Sequence, residues 1–91
     1  MPEPANSLGE IYMAKGEFGK AAESFMKFIQ LRPEDSRGYW NAALAYERAG
    51  DYEKALRFAT QFISMEPDPR YRQTATQLID SLNSRIGARR K

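Results

Sequence analysis

The chain has 91 residues, of which 42% are hydrophobic and 29% charged, and only five are proline, the composition of one small folded domain rather than a disordered segment. Its 14 basic and 12 acidic side chains nearly balance, so no nucleic-acid or membrane binding is expected of the domain as a whole. It lacks cysteine and histidine altogether, which removes disulfides, thiolate nucleophiles, imidazole bases and the usual zinc ligands.

Carboxylates, lysines and serines remain, but no nucleophile elbow, phosphate-binding loop or dinucleotide-binding glycine pattern is present. The expectation is a protein that is not an enzyme and needs no metal or cofactor. No apolar run approaches the roughly 20 residues of a membrane-spanning helix, and Met1-Pro2-Glu3-Pro4 does not start a signal peptide. A soluble protein is expected, and the lack of cysteine fits a cytoplasmic setting.

Sliding the sequence over itself exposes its organisation. At a shift of 34 residues, Tyr12 falls on Tyr46, Gly16 on Gly50, Lys20 on Lys54, Ala21 on Ala55, Phe28 on Phe62, Ile29 on Ile63 and Pro33 on Pro67. These are seven identities in 29 aligned pairs, where average residue usage would give roughly two. Glu17/Asp51, Phe18/Tyr52, Leu31/Met65 and Glu34/Asp68 are near-matches on the same register. An internal period of this length decides the architecture before local propensities are weighed.

In chain order, the first predicted helix carries Leu8, Ile11 and Tyr12 on one face and ends at Gly16, where glycine tolerates a left-handed backbone. A second, with Phe18, Ala21, Phe25, Phe28 and Ile29 at helical spacing, closes before Pro33. The third begins with Ser36 as cap, presents Tyr39, Ala42, Ala43 and Tyr46 inward, and ends at Gly50. The fourth is capped by Asp51, carries Ala55, Leu56, Ala59, Phe62 and Ile63, and stops before Pro67. Short glycine turns make each pair an antiparallel hairpin. Gly9, Ala43, Ala21 and Ala55 allow close approach of helix axes, while Tyr12, Tyr46, Phe18 and Tyr52 fill the space around them.

Beyond Pro67-Asp68-Pro69 a fifth helix places Tyr71, Ala75, Leu78, Ile79, Leu82 and Ile86 on one face and polar residues on the other. That one-sided pattern suits a terminal cap on a stack of hairpins. Gly87 is expected to stop it, leaving Ala88-Arg89-Arg90-Lys91 to fray.

These positions resemble the tetratricopeptide repeat (TPR), whose pattern is W-x2-L-G-x2-Y, A-x3-F, P. Repeat 1, residues 2–35, has Leu8-Gly9, Tyr12, Gly16, Phe18, Ala21, Phe25 and Pro33, with Ala5 where the opening aromatic is usual. Repeat 2, residues 36–69, has Tyr39, Ala43, Tyr46, Gly50, Tyr52, Ala55 and Pro67, with Ala42 and Ala59 at the leucine and phenylalanine positions. Residues from about 70 to 86 resemble the family's capping helix, and 87–91 form a basic tail. The expected fold is therefore all-α: one TPR domain over residues 1–91, five helices in a right-handed superhelix of two hairpins plus a cap. Both repeats depart from the family at Phe28 and Phe62, where a small residue is usual; Ala59 offers a compensating loss of volume beside Phe62.

The resemblance implies that the first helix of each hairpin lines a concave groove. The groove positions are Glu3, Asn6, Ser7, Glu10 and Met13, then Arg37, Trp40, Asn41, Leu44, Glu47 and Arg48, with Tyr71, Thr74 and Leu78 extending the floor. Trp40 and Leu44, one turn apart among charged neighbours, have the makeup of a binding hot spot. They equally suit packing on the cap helix against Tyr71 or Ala75, and Asn41 suits either a ligand's backbone or a helix-to-helix bond. The two-carboxylate clamp by which some repeats hold acidic chaperone tails is matched only by Asn41; Asn6, Glu10, Tyr71 and Ala75 stand at its other positions, and Glu10 would repel a carboxylate. Chaperone-tail binding is disfavoured.

The implied function is a protein interaction module or adaptor that takes a partner peptide or helix in the groove, its site comprising Glu10, Met13, Arg37, Trp40, Asn41, Leu44, Glu47, Arg48 and Tyr71. The alternative is a structural scaffold that self-associates, as a homo-oligomer or as a fragment of a longer array, because two repeats fall short of the three such stacks commonly need. Residues 70–91 also hold six basic side chains against Asp80 alone. The cluster Arg89-Arg90-Lys91 is short and has no interleaved aromatics, so the tail reads as solvated rather than as a nucleic-acid, lipid or acidic-protein contact.

Overall fold

The computed structural model describes residues 4–89, with side chains from residue 7 onward, so Glu3, Arg90, Lys91 and the side chain of Asn6 lie outside the described residues. Five helices follow one another: α1 (Pro4–Lys15), α2 (Phe18–Leu31), α3 (Ser36–Ala49), α4 (Tyr52–Met65) and α5 (Pro69–Arg89). Each packs chiefly on its neighbours in sequence, giving two helix hairpins and a terminal helix in an elongated stack of 44 × 30 × 19 Å.

The turn inside each hairpin is the same device used twice. Gly16 (φ 79°) and Gly50 (φ 86°) take the left-handed conformation that closes a helix. The Gly50 N–H donates to Glu47 O at 3.0 Å and the Asp51 N–H to Tyr46 O at 2.9 Å; Gly16 and Glu17 repeat this onto Met13 O and Tyr12 O. Past the turn, Lys54 Nζ lies 5.5 Å from the Tyr46 ring centre and 3.8 Å from Asp51, and Lys20 stands likewise over Tyr12 and beside Glu17. The repeated Tyr, Gly and Lys identities are therefore one supersecondary motif.

One cap agrees with the sequence expectation, and one cap and one stop differ from it. Asp51 caps α4, its Oδ1 accepting the Lys54 N–H at 3.2 Å. The cap of α3 is Asp35 rather than Ser36, with Oδ1 accepting the Arg37 N–H at 3.0 Å. Either residue type can cap, and the carboxylate wins because Arg37 also grips it from the side. Ser36 becomes the first helical residue and turns its hydroxyl to Glu66. Gly87 does not end α5, which runs to Arg89. A helical glycine costs only about 1 kcal/mol, and Arg85 and Arg89 hold the last turns from either side of Gly87. Their guanidinium carbons lie 5.4 and 4.8 Å from the Tyr52 ring centre, and Arg89 reaches Glu53 at 3.9 Å.

The core is built of small residues meeting large ones. Ala21, Ala22 and Phe25 of α2 meet Ala42 and Ala45 of α3 in a buried cluster, with Tyr12, Met13, Ile29, Tyr46 and Phe58 packed around it. Tyr46 stacks on Phe58 with ring centres 5.5 Å apart. Tyr39, expected inward, is half-buried beside Phe58, its hydroxyl donating to Pro33 O at 3.4 Å. Gly38 permits the closest approach of α3 to α2: a methyl group in its place would stand 2.8 Å from both Phe28 Cδ1 and Ile29 Cγ1. Phe28 is fully buried, so the bulky residue that breaks the family pattern in repeat 1 is accommodated by a glycine across the interface. α5 buries Ala75, Leu82 and Ile86 and leaves its other face polar. The inward face expected of α1 is only partly covered: Leu8 is 43% and Ile11 51% exposed.

Candidate functional site

A groove of about 660 Å³ opens between α1, α3, α4 and α5. α3 forms its floor, because Ser36, Arg37, Trp40 and Asn41 fall within its first two turns on one side of the helix. α4 contributes Phe62, and Glu66 follows one turn later as the residue that caps the C-terminal end of α4. Glu10 of α1 stands on one wall, and Tyr71 and Thr74 of α5 on the other.

Trp40 rests on Phe62, with ring centres 5.2 Å apart and planes at 45°, so one face of the indole is supported and the residue stays half-buried. Tyr71 of the cap helix borders the same groove and remains 56% exposed. Aromatic area, rigidly backed and still reachable by solvent, is the part of the site best able to hold another molecule.

The polar groups around it are ordered. Arg37 forks onto Asp35, with Nη2 2.7 Å from Oδ2 and Nε 3.0 Å from Oδ1. That fork, before any other influence, holds the Asp35 carboxyl below its usual range, with the backbone N–H and nearby Arg32 acting in the same direction. Glu66 accepts the Ser36 hydroxyl at 3.0 Å through Oε2 and the Asp68 N–H at 3.2 Å through Oε1, which fixes its carboxylate at the groove edge. At the rim Arg70 forks onto Asp68 and lowers its carboxyl in the same way.

Of the residues expected to form the site, Glu10, Arg37, Trp40, Asn41 and Tyr71 come together here, as does Thr74. Met13 instead packs against the buried cluster between α2 and α3. Leu44 and Glu47 are half-buried and Arg48 exposed, and none of the three borders this groove. All three lie further along α3 than the groove-lining Trp40 and Asn41. Ser36, Phe62 and Glu66 are the members that sequence reasoning did not place. Phe62 had a signal, being bulky where the family is small; Glu66 had none, since its counterpart in repeat 1 is Arg32. Among the described residues, no three acidic side chains gather where they would hold a metal ion, and no helix is long and apolar enough to cross a membrane.

The sequence pattern of the tetratricopeptide repeat matches residues 3–35 and again 36–69. The chain belongs to the tetratricopeptide repeat family. TPR units serve protein–protein interaction, and similar stretches occur inside much larger proteins. The chain is 32% identical over 62 residues to Superkiller complex protein 3 of Mus musculus, covering 68% of this chain and 4% of that protein. It is 30% identical over 60 residues to BBSome complex member BBS4 of Bos taurus, covering 66% of this chain and 12% of that protein. The match thus spans a small fraction of either relative, and both are, by name, components of complexes.

Proposed function

We propose that this TPR unit is a non-enzymatic adaptor that binds a partner peptide or helix in the groove between α1, α3, α4 and α5. The observation that carries the reading is the aromatic surface: Trp40 is backed by Phe62 yet half-buried, and Tyr71 faces it largely in solvent. Ordered polar groups on both sides set register, and an apolar centre within a polar rim is the anatomy of a binding site. Membership of complexes in both relatives supports an interaction role. Affinity purification with the wild-type chain, Trp40→Ala and Tyr71→Ala, followed by titration of the recovered partner in purified form, tests it. Loss of binding in both variants with far-UV circular dichroism unchanged is the expected result. Full-strength binding by either folded variant counts against the groove.

A second reading, a scaffold joined to a neighbouring helical unit or to a second copy, has its own support in α1. One period of 34 residues carries Leu8 and Ile11 onto Ala42 and Ala45, which are fully buried, in one cluster with residues of α2. The exposed face of α1 is therefore the face that an α2-like helix covers inside the stack. Sedimentation over a concentration series, with Leu8→Glu/Ile11→Glu as control, checks the second-copy form; a wild-type chain that stays monomeric at high concentration excludes it.

A further inference from the structure

The groove has a charge imbalance that selects its occupant. Among the described residues Arg37 is the one cation lining it, and the bidentate contact with Asp35 offsets that charge. Glu66 and Glu10 have no such compensation. The two donors to Glu66, a serine hydroxyl and a backbone N–H, are neutral: they orient the carboxylate and leave its charge in place. Glu10 is exposed on the facing wall and forms no ion pair with any described residue. The rings of Trp40, Phe62 and Tyr71 line the same groove, and aromatic faces attract cations as well as apolar groups.

We infer that the groove accepts a peptide segment bearing a lysine or arginine next to an apolar residue, the cationic head seated between Glu66 and the Trp40 and Tyr71 rings and the apolar neighbour against the solvent-facing side of Trp40, which Phe62 backs. The inference rests on the groove reading and adds the chemistry of its ligand. A ring face and a carboxylate converge on the head group, and the aliphatic stem of either side chain lies along the aromatic floor. An acidic segment meets two carboxylates and no uncompensated cation, so the charge pattern discriminates as well as attracts.

The test is selection from a random dodecapeptide display library against the immobilised chain, with Trp40→Ala and Tyr71→Ala as counter-targets to define groove-dependent binders. The expected outcome is enrichment of lysine or arginine beside an apolar residue in those binders. For a selected synthetic peptide, Glu66→Gln weakens binding about tenfold, replacement of its cation by norleucine does the same, and the two losses are not additive. Glutamine keeps one acceptor oxygen for the Asp68 N–H while its amide NH2 can donate to the Ser36 hydroxyl oxygen, and a thermal melt verifies that the variant folds. Repeating the selection on Glu66→Lys shifts enrichment to aspartate and glutamate. Groove-dependent binders that are acidic, or carry no preferred charge, overturn the inference while the groove reading stands. A library that yields no binder sensitive to either aromatic substitution overturns both.

Discussion

Substituting Gly38 by alanine puts the packing argument at risk with a single methyl group. Its Cβ would lie 2.8 Å from Phe28 Cδ1 and Ile29 Cγ1 and 3.2 Å from Phe28 Cε1. Ordinary contact begins at 3.4 Å, so the neighbours must retreat by about 0.6 Å, and Phe28 is fully enclosed. Overpacking of this kind costs about 1–3 kcal/mol, while alanine in a helix regains up to about 1 kcal/mol over glycine. The control is Gly19→Ala, also helical, where nothing stands within 4 Å of the new methyl and only the propensity gain operates. The two variants therefore differ by the overpacking cost. In a domain of this size 1 kcal/mol moves the melting temperature by roughly 4–8 °C, so thermal denaturation should place Gly38→Ala at least about 4 °C below Gly19→Ala. Adding Phe28→Leu should recover part of the loss, giving a coupling energy of about 1 kcal/mol in a double-mutant cycle. Equal melting temperatures for the two alanine variants would refute the account of how α2 and α3 approach.

Ala55 has no exposed surface, so Ala55→Leu should lower stability by about 1–3 kcal/mol in urea denaturation with little change in slope. Because the Arg37 guanidinium holds the Asp35 carboxyl below its ordinary range in the folded chain, its contribution is fully present above the ordinary carboxylate value and is lost as pH falls through the lowered folded value. Acid titration of Asp35→Asn, which keeps a capping side chain, should show a shallower loss of stability below pH 4 than wild type. Tyr52 receives Arg85 and Arg89 on its ring, so Tyr52→Ala should deprotect amides at the end of α5 in hydrogen exchange while leaving α1 to α3 unchanged.

Much of the architecture was legible because the period, the two turn glycines and the prolines act locally and appear twice. Gly16 and Gly50 mark helix ends wherever the rest of the chain goes, and Lys20 and Lys54 reproduce one contact in two places. Choices between near-equal neighbours were not legible in this way. Asp35 and Ser36 are both good caps, and the decision rested on Arg37 reaching back to the carboxylate and on Glu66, thirty positions away from Ser36, accepting its hydroxyl. The partial exposure of Leu8 and Ile11 is invisible to periodicity, which identifies an apolar face and says nothing of whether anything covers it. Within the site, Trp40, Asn41, Arg37, Glu10 and Tyr71 follow from repeat position, whereas Glu66 enters by the tertiary closeness of the end of α4 to the start of α3.

The groove owes its character to one departure made twice with different results. Phe28 and Phe62 occupy the same place in their repeats, and both are larger than the family norm. Phe28 meets Gly38, which yields space, and is sealed between α2 and α3. The period that gives Gly38 to Phe28 gives Arg72 to Phe62, a long exposed residue on α5. Phe62 instead supports Trp40 and borders open space. The same phenylalanine thus tightens the stack at one interface and backs the groove tryptophan at the next. Introducing glycine at position 72 would restore only one half of the closed arrangement, because Trp40 would still occupy the ring face of Phe62. Closing the groove would require the tryptophan to be removed as well, so in the proposed site Trp40, rather than the charged residues beside it, is the side chain whose loss should cost most binding.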